Sequence, residues 1–174
     1  MLINAATPYL GLGSDPRLRE IFEAAHSVML AVFSAPGAAS GLFANHIRPY
    51  VDILFQVFPQ NISQQQFRMA IKTLIRITSG NEPSLILELV RYRLETAPPE
   101  EESKALVLTL IDALAHLPID QLEDWLPIIF LESRNHSLSL EFWQAMTSRE
   151  MDVERAALCL QWWTRGAEQQ ASRI

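Results

Sequence analysis

At 174 residues, 49% of them hydrophobic and 20% charged, the chain is long enough for one domain with a sizeable core, and disorder is not its expected state. A net charge of −6 argues against a general nucleic-acid binder, which needs a lysine and arginine excess to neutralise phosphates, and makes a basic partner electrostatically easier than an acidic one. The single cysteine, Cys159, leaves no internal disulfide, no apolar run approaches the roughly 20 residues that span a bilayer, and Met1–Pro8 lacks the basic and apolar regions of a secretory signal.

Gly11 to Pro16 reads as a loop closing into a helix start, with Ser14 as N-cap and Pro16 in the first turn, where its missing N–H costs nothing. Leu18, Ile21, Phe22, Ala25, Val28, Met29, Val32 and Phe33 then follow the 3.6-residue period of an amphipathic helix. Pro36-Gly37 breaks it, a short helical piece is expected from Ala38 to His46, and Pro49 begins or kinks a run that ends at Phe58. Phe58-Pro59 leads into Ser63-x-x-Gln66: the proline cannot continue the preceding helix, and serine and glutamine have the spacing of a capping box. Phe67, Ala70, Ile71, Leu74 and Ile75 form the apolar face of the helix that follows, with Arg68, Lys72 and Arg76 on another face.

Asn81 or Pro83 starts the next helix, whose apolar face is Ile86, Leu89 and Val90. After Ala97-Pro98-Pro99, the acids Glu100, Glu101 and Glu102 sit where a first helical turn favours negative charge, and Val107, Leu110, Ile111 and Leu114 carry the period onward. Leu117-Pro118 repeats the corner, with Asp120-x-x-Glu123 as a second capping box ahead of Leu122, Trp125, Leu126, Ile129 and Phe130, and with Pro127 as a kink. A shorter helix covers Ser139 to Met146, and a last one runs from about Arg149 to Arg165 with Val153, Ala156, Ala157, Leu160 and Trp163 inward.

Strand alternation and hairpin dipeptides are missing, so the expected fold class is all-α. Helix starts recur every 15 to 20 residues or about that, which fits stacked antiparallel helical hairpins, either a short HEAT/armadillo-like α-solenoid or an irregular helical bundle. Residues 1–166 are expected to form a single domain and 167–174 an exposed C-terminal tail.

Chemistry is sparse. Gly11-x-Gly13 lacks the preceding strand and the lysine of a phosphate loop. His26, His46, His116 and His136 show no metal-ligand spacing, so no metal, cofactor or enzymatic activity is expected. Cys159, in Ala156-Ala-Leu-Cys-Leu160, reads as a small buried hydrophobe. Two features suit protein partners: the basic stripe Arg68, Lys72, Arg76, which could receive an acidic partner or lipid head groups, and Trp162, one of two adjacent indoles of which one is forced toward a neighbour or the surface. The chain ends in Ser172-Arg173-Ile174, the small–basic–aliphatic pattern of the Ser-Lys-Leu address that a receptor reads as peroxisomal.

Three stretches, Thr7-PYLGLGSDPRLREIFEAAHSVMLAVFSAP-Pro36, Phe58-PQNISQQQFRMAIKTLIRIT-Thr78 and Phe142-WQAMTSREMDVERAALCLQWWTRG-Gly166, resemble the C-terminal part of fungal peroxisomal biogenesis factor 8, a peroxin of matrix-protein import. The resemblance implies a non-enzymatic adaptor on the matrix side of the peroxisomal membrane, peripheral to it. Its implied role is to link the receptor-docking and RING-containing subcomplexes and to bind the cargo receptor, with Ser172, Arg173 and Ile174 as its targeting tripeptide. The alternative is a helical interaction scaffold elsewhere in the cell, including the cytoplasm, for which the tripeptide is accidental.

Overall fold

A computed structural model describes residues 2–35, 43–78, 83–96 and 99–171, and those residues contain helices and turns but no strand. The first Pro-then-cap corner forms as its sequence predicts. Ser63 donates its backbone N–H to Gln66 Oε1 at 2.9 Å, and Gln66 N–H returns to Ser63 Oγ at 3.2 Å. This satisfies two orphan donors at the start of a helix that then runs Gln64–Thr78. The second corner turns at the right place by other means. The helix after it, Ile119–Asn135, begins two residues earlier than expected; Pro118, not Asp120, occupies the cap, and its carbonyl accepts from Gln121 and Leu122. Asp120 is left inside the first turn, where it complements the helix dipole without closing a capping box.

In chain order the helices are α1 (Leu2–Ala6), α2 (Arg19–Ser34), α3 (Phe43–Val57), α4 (Gln64–Thr78), α5 (Pro83–Glu95), α6 (Glu100–Ala113), α7 (Ile119–Asn135), α8 (Ser139–Met146) and α9 (Val153–Ala171). α1 has no counterpart among the sequence expectations; Ile3 and Ala6 bury it against α2. Before α2 the cap is Asp15 rather than Ser14, because its carboxylate accepts from Arg17 N–H at 2.9 Å and so orders the short 3₁₀ turn Pro16–Leu18. The piece expected to end at His46 and the run expected to begin or kink at Pro49 belong to one helix. α3 passes through Pro49 and α7 through Pro127 as single elements.

The packing is layered. α2 lies on α4, α4 on α6 and α6 on α8, giving one row; α3 lies on α5 and α7 on α9 beside it; sequential neighbours from α3 to α9 tie the two rows together. This is the neighbour pattern of stacked hairpins in TPR- and HEAT-like folds, with row helices starting about every 35 to 45 residues. α6 is the hub. Ala105, Leu106, Val107, Thr109, Leu110, Ile111 and Ala113 are all buried, so most of its circumference faces other helices. Glu102, one of the three acids expected in a first turn, is only 3% exposed and is held by Arg93 of α5 at 2.7 Å. Burying a carboxylate is tolerable here because a guanidinium goes with it.

α9 is set differently from expectation. Asp152 accepts from Arg155 N–H at 2.8 Å and starts the helix at Val153, not Arg149. Val153 points out at 86% exposure and Leu160 is exposed too, while Cys159 is fully buried. The helix continues past Arg165 to Ala171.

Gly13 explains the glycine pair near the N-terminus. A methyl group at Gly13 would lie 2.6 Å from Asn61 Cβ and 2.9 Å from Phe22 Cζ, so the loop before α2 packs against the α3–α4 corner only because that position has no side chain. Gly11 faces open space. Gly13→Ala should therefore lower the unfolding free energy by about 1–3 kcal/mol in a urea titration, while Gly11→Ala should stay within about 0.5 kcal/mol of wild type. Equal effects of the two would contradict this packing.

Candidate functional site

The basic residues of α4 do not stand as a solvated stripe. Arg68 reaches α6 and pairs with both oxygens of Asp112, Nε to Oδ2 at 2.8 Å and Nη2 to Oδ1 at 2.9 Å. One turn on, Lys72 Nζ pairs with the Glu150 carboxylate in the turn after α8 and holds that acid below the usual carboxylate range through this hydrogen bond and its charge. Arg76 is exposed, and with Lys72 and Arg155 it contributes positive charge around His116. The fork-shaped guanidinium suits Arg68 to its two-oxygen partner, and each pair fixes α4 to a different neighbour.

These pairs bound a groove of about 420 Å³ on the row α4–α6–α8, lined by Arg68 and Lys72, by Leu108, Ile111, Asp112 and Ala115, and by Glu141, Gln144, Ala145, Ser148 and Glu150. Leu108 and Asp112 belong to the one side of α6 that is not packed away. Its chemistry is that of a polar cleft with an apolar floor, suited to a peptide segment and to side-chain recognition. A second, smaller cavity of about 190 Å³ lies on the other side of α4, between α2, α3 and α4, against Phe22, His26, Tyr50 and Met69.

His26 spans that second region. Its Nε2 is 3.2 Å from the Leu10 carbonyl, which can only accept, so the proton is on Nε2 and Nδ1 accepts from the Tyr50 hydroxyl at 3.0 Å. Burial lowers the His26 pKa against a partial rise from the Leu10 bond, and burial raises that of Tyr50. The imidazole is a neutral structural link between the N-terminal loop, α2 and α3. Cys159 is likewise structural: it is fully buried, and burial pushes its thiol up to about 11, away from nucleophile chemistry. Among the described residues no group of three or more His, Cys, Asp or Glu is placed to hold a metal ion.

Trp162 lies apart from the groove. It is half-buried, edge-on to Phe130 with centroids 5.6 Å apart and 6.3 Å from Phe142, while Trp163 packs on Phe130 and on Trp143 at 5.2 Å. The more exposed indole is that of Trp143, at 38%. Thus Arg68 and Lys72 share one site, Arg76 does not line it, and Trp162 serves the α7–α8–α9 aromatic cluster; Ser172, Arg173 and Ile174 lie outside the described residues. Sequence reasoning missed Asp112, Glu141 and Glu150. The first and last are joined to α4 only by tertiary pairing, 44 and 78 positions away.

With this geometry in hand, comparison with known proteins adds one finding. Residues 1–34 match the family model described as the PEX8 central TPR-like domain. The match supports a PEX8-like relationship for the segment that carries α1 and α2, and it falls on the central domain, whereas the resemblance in the sequence points to the family's C-terminal part. No curated protein and no solved structure matches the chain. The matched segment is continuous in space with the groove's row, since α2 packs on α4.

Two half-buried histidines set a pH dependence. His26 and His116 both have pKa values below the ordinary 6.5, through burial in each case and, at His116, the charges of Lys72, Arg76 and Arg155 against the opposing Glu150. The unfolded chain then binds more protons than the folded one just below 6.5, so stability is full above that value and falls as pH drops through it. The urea midpoint should decline from about pH 7 to about pH 5, above the range where carboxylates titrate. His116→Gln should make the decline shallower, because it removes one of the two titrating groups, and the shielded His116 Nε2 has no hydrogen bond to lose. A flat profile over that interval would contradict this.

Proposed function

We propose that this chain acts as a non-enzymatic adaptor in peroxisomal matrix-protein import, on the matrix side of the membrane, linking the docking and RING subcomplexes and binding the cargo receptor. The observation that carries the reading is the PEX8 central TPR-like match over residues 1–34. Support comes from the stacked hairpins, which present a long ridged surface of the kind that binds protein segments, and from the groove beside Arg68 and Lys72. Among the described residues no helix is long and apolar enough to cross a membrane, and the association proposed here is peripheral. Arg76 and Trp162 are assigned to contacts at the margins of that surface, and Ser172, Arg173 and Ile174 to the receptor.

The test uses the full chain tagged at its N-terminus, leaving the terminal carboxylate free. Fluorescence should coincide with a peroxisomal marker, and a pull-down should recover the targeting-signal receptor in a manner that weakens on deletion of Ser172 to Ile174. Diffuse fluorescence would favour the scaffold elsewhere in the cell, and undiminished receptor binding after the deletion would remove the tail from the reading.

A further inference from the structure

The groove holds three carboxylates and two cations. Asp112 is matched by Arg68 and Glu150 by Lys72. Glu141, on the opposite wall, is matched by nothing among the described residues, and its Oε2 is shielded from solvent without a hydrogen-bond partner. Its usual local role is closed as well. Glu141 occupies the third position of α8, from which an acid normally reaches back to the N–H of the cap residue; here that N–H, on Leu138, already donates to the Ser133 carbonyl at 2.7 Å. A solvated acid in a first helical turn needs no partner beyond the helix dipole, but a carboxylate oxygen removed from water does.

We propose that Glu141 receives a lysine or arginine side chain from a partner protein segment lying in the α4–α6–α8 groove. The groove volume of about 420 Å³ accommodates a long basic side chain with adjoining backbone. Gln144 and Ser148 on the same wall offer hydrogen bonds to that backbone, and Leu108 and Ala115 offer an apolar floor for its methylenes. The paired cations on the α4 wall disfavour a second basic residue beside the first, so the groove selects one basic position rather than a polybasic run. The net charge of −6 steers the same class of partner. This inference rests on the groove being a protein-binding surface and is independent of the compartment.

The experiment selects a displayed library of short randomised peptides on the purified full chain, on Glu141→Gln, on Glu141→Lys and on Gln144→Trp, whose indole would fill the groove from an exposed position. Wild type should enrich peptides with one lysine or arginine at a fixed position. Glu141→Gln should weaken their binding about tenfold or more, equivalent to about 1.4 kcal/mol, with its thermal midpoint unchanged or raised because an unmatched carboxylate has been removed. Glu141→Lys should turn the selection toward acidic residues. If recovered peptides lose binding with Gln144→Trp but show no basic preference, or keep it with Glu141→Lys, the assignment to Glu141 is wrong while the groove stands. If Gln144→Trp changes nothing, the groove itself is not the binding surface. A lowered midpoint for Glu141→Gln would mean that the carboxylate serves the fold, and would overturn the assignment too.

Discussion

The burial of α6 is the constraint on which the rest of this structure depends. A helix with Leu106, Val107, Leu110 and Ile111 out of water on different sides cannot sit at a surface; it must be surrounded, and α4, α5, α7 and α8 surround it. Truncating one such leucine to alanine typically costs about 2–5 kcal/mol, a large share of a domain's marginal stability. The two charged groups that α6 carries into this environment are both tethered outward, Glu102 to Arg93 of α5 and Asp112 to Arg68 of α4. The hub is thus clasped near each end by a guanidinium from a different neighbour.

The groove follows from that arrangement. α4 and α8 flank α6 in the same row, and the side of α6 bearing Leu108 and Asp112 becomes the floor between them. Ion pairs from α4 to Asp112 and to Glu150 set the walls before any partner arrives, which reduces the ordering that binding would otherwise require. Charge is nearly balanced along one wall and unbalanced at Glu141 on the other. Specificity therefore resides in a single acidic position within an otherwise self-satisfied cleft, and the acidic character of the whole chain acts in the same direction.

Much of the helical order was legible in the residues, because it depends on local rules. Ser63 and Gln66 cap as their spacing requires, α8 spans Ser139–Met146 as expected, and the α7 face from Leu122 to Phe130 packs inward. Misreadings arose where two local signals compete or where tertiary contact decides. At the second corner the cap position falls on Pro118 and not on Asp120; at Pro49, where the sequence allowed either a helix start or a kink, one helix runs through. A cap at Asp152 shifted the start of α9, and the face that packs inward is the one bearing Cys159, which leaves Val153 and Leu160 outside. The candidate site was half legible: Arg68 and Lys72 stand out as a stripe, but their partners lie on helices whose proximity no single-sequence period encodes, and Glu141 is notable only once Leu138 is seen bonded to Ser133.

The family-like N-terminal segment joins this framework through α2 on α4, with Gly13 permitting the loop before α2 to close on Asn61. The three stretches that resemble the peroxin thereby meet around α4, α2 from the first side and Glu150 from the other. Native-state hydrogen exchange on the intact chain reads the underlying arrangement most directly. With α6 as the enclosed hub, its amides from Ala105 to Ala113 should be the slowest in the chain and should open only with global unfolding, while α1 and the last turns of α9 exchange by local fraying. Exchange of α6 as fast as that of α1 would contradict the enclosed hub and the groove built on it.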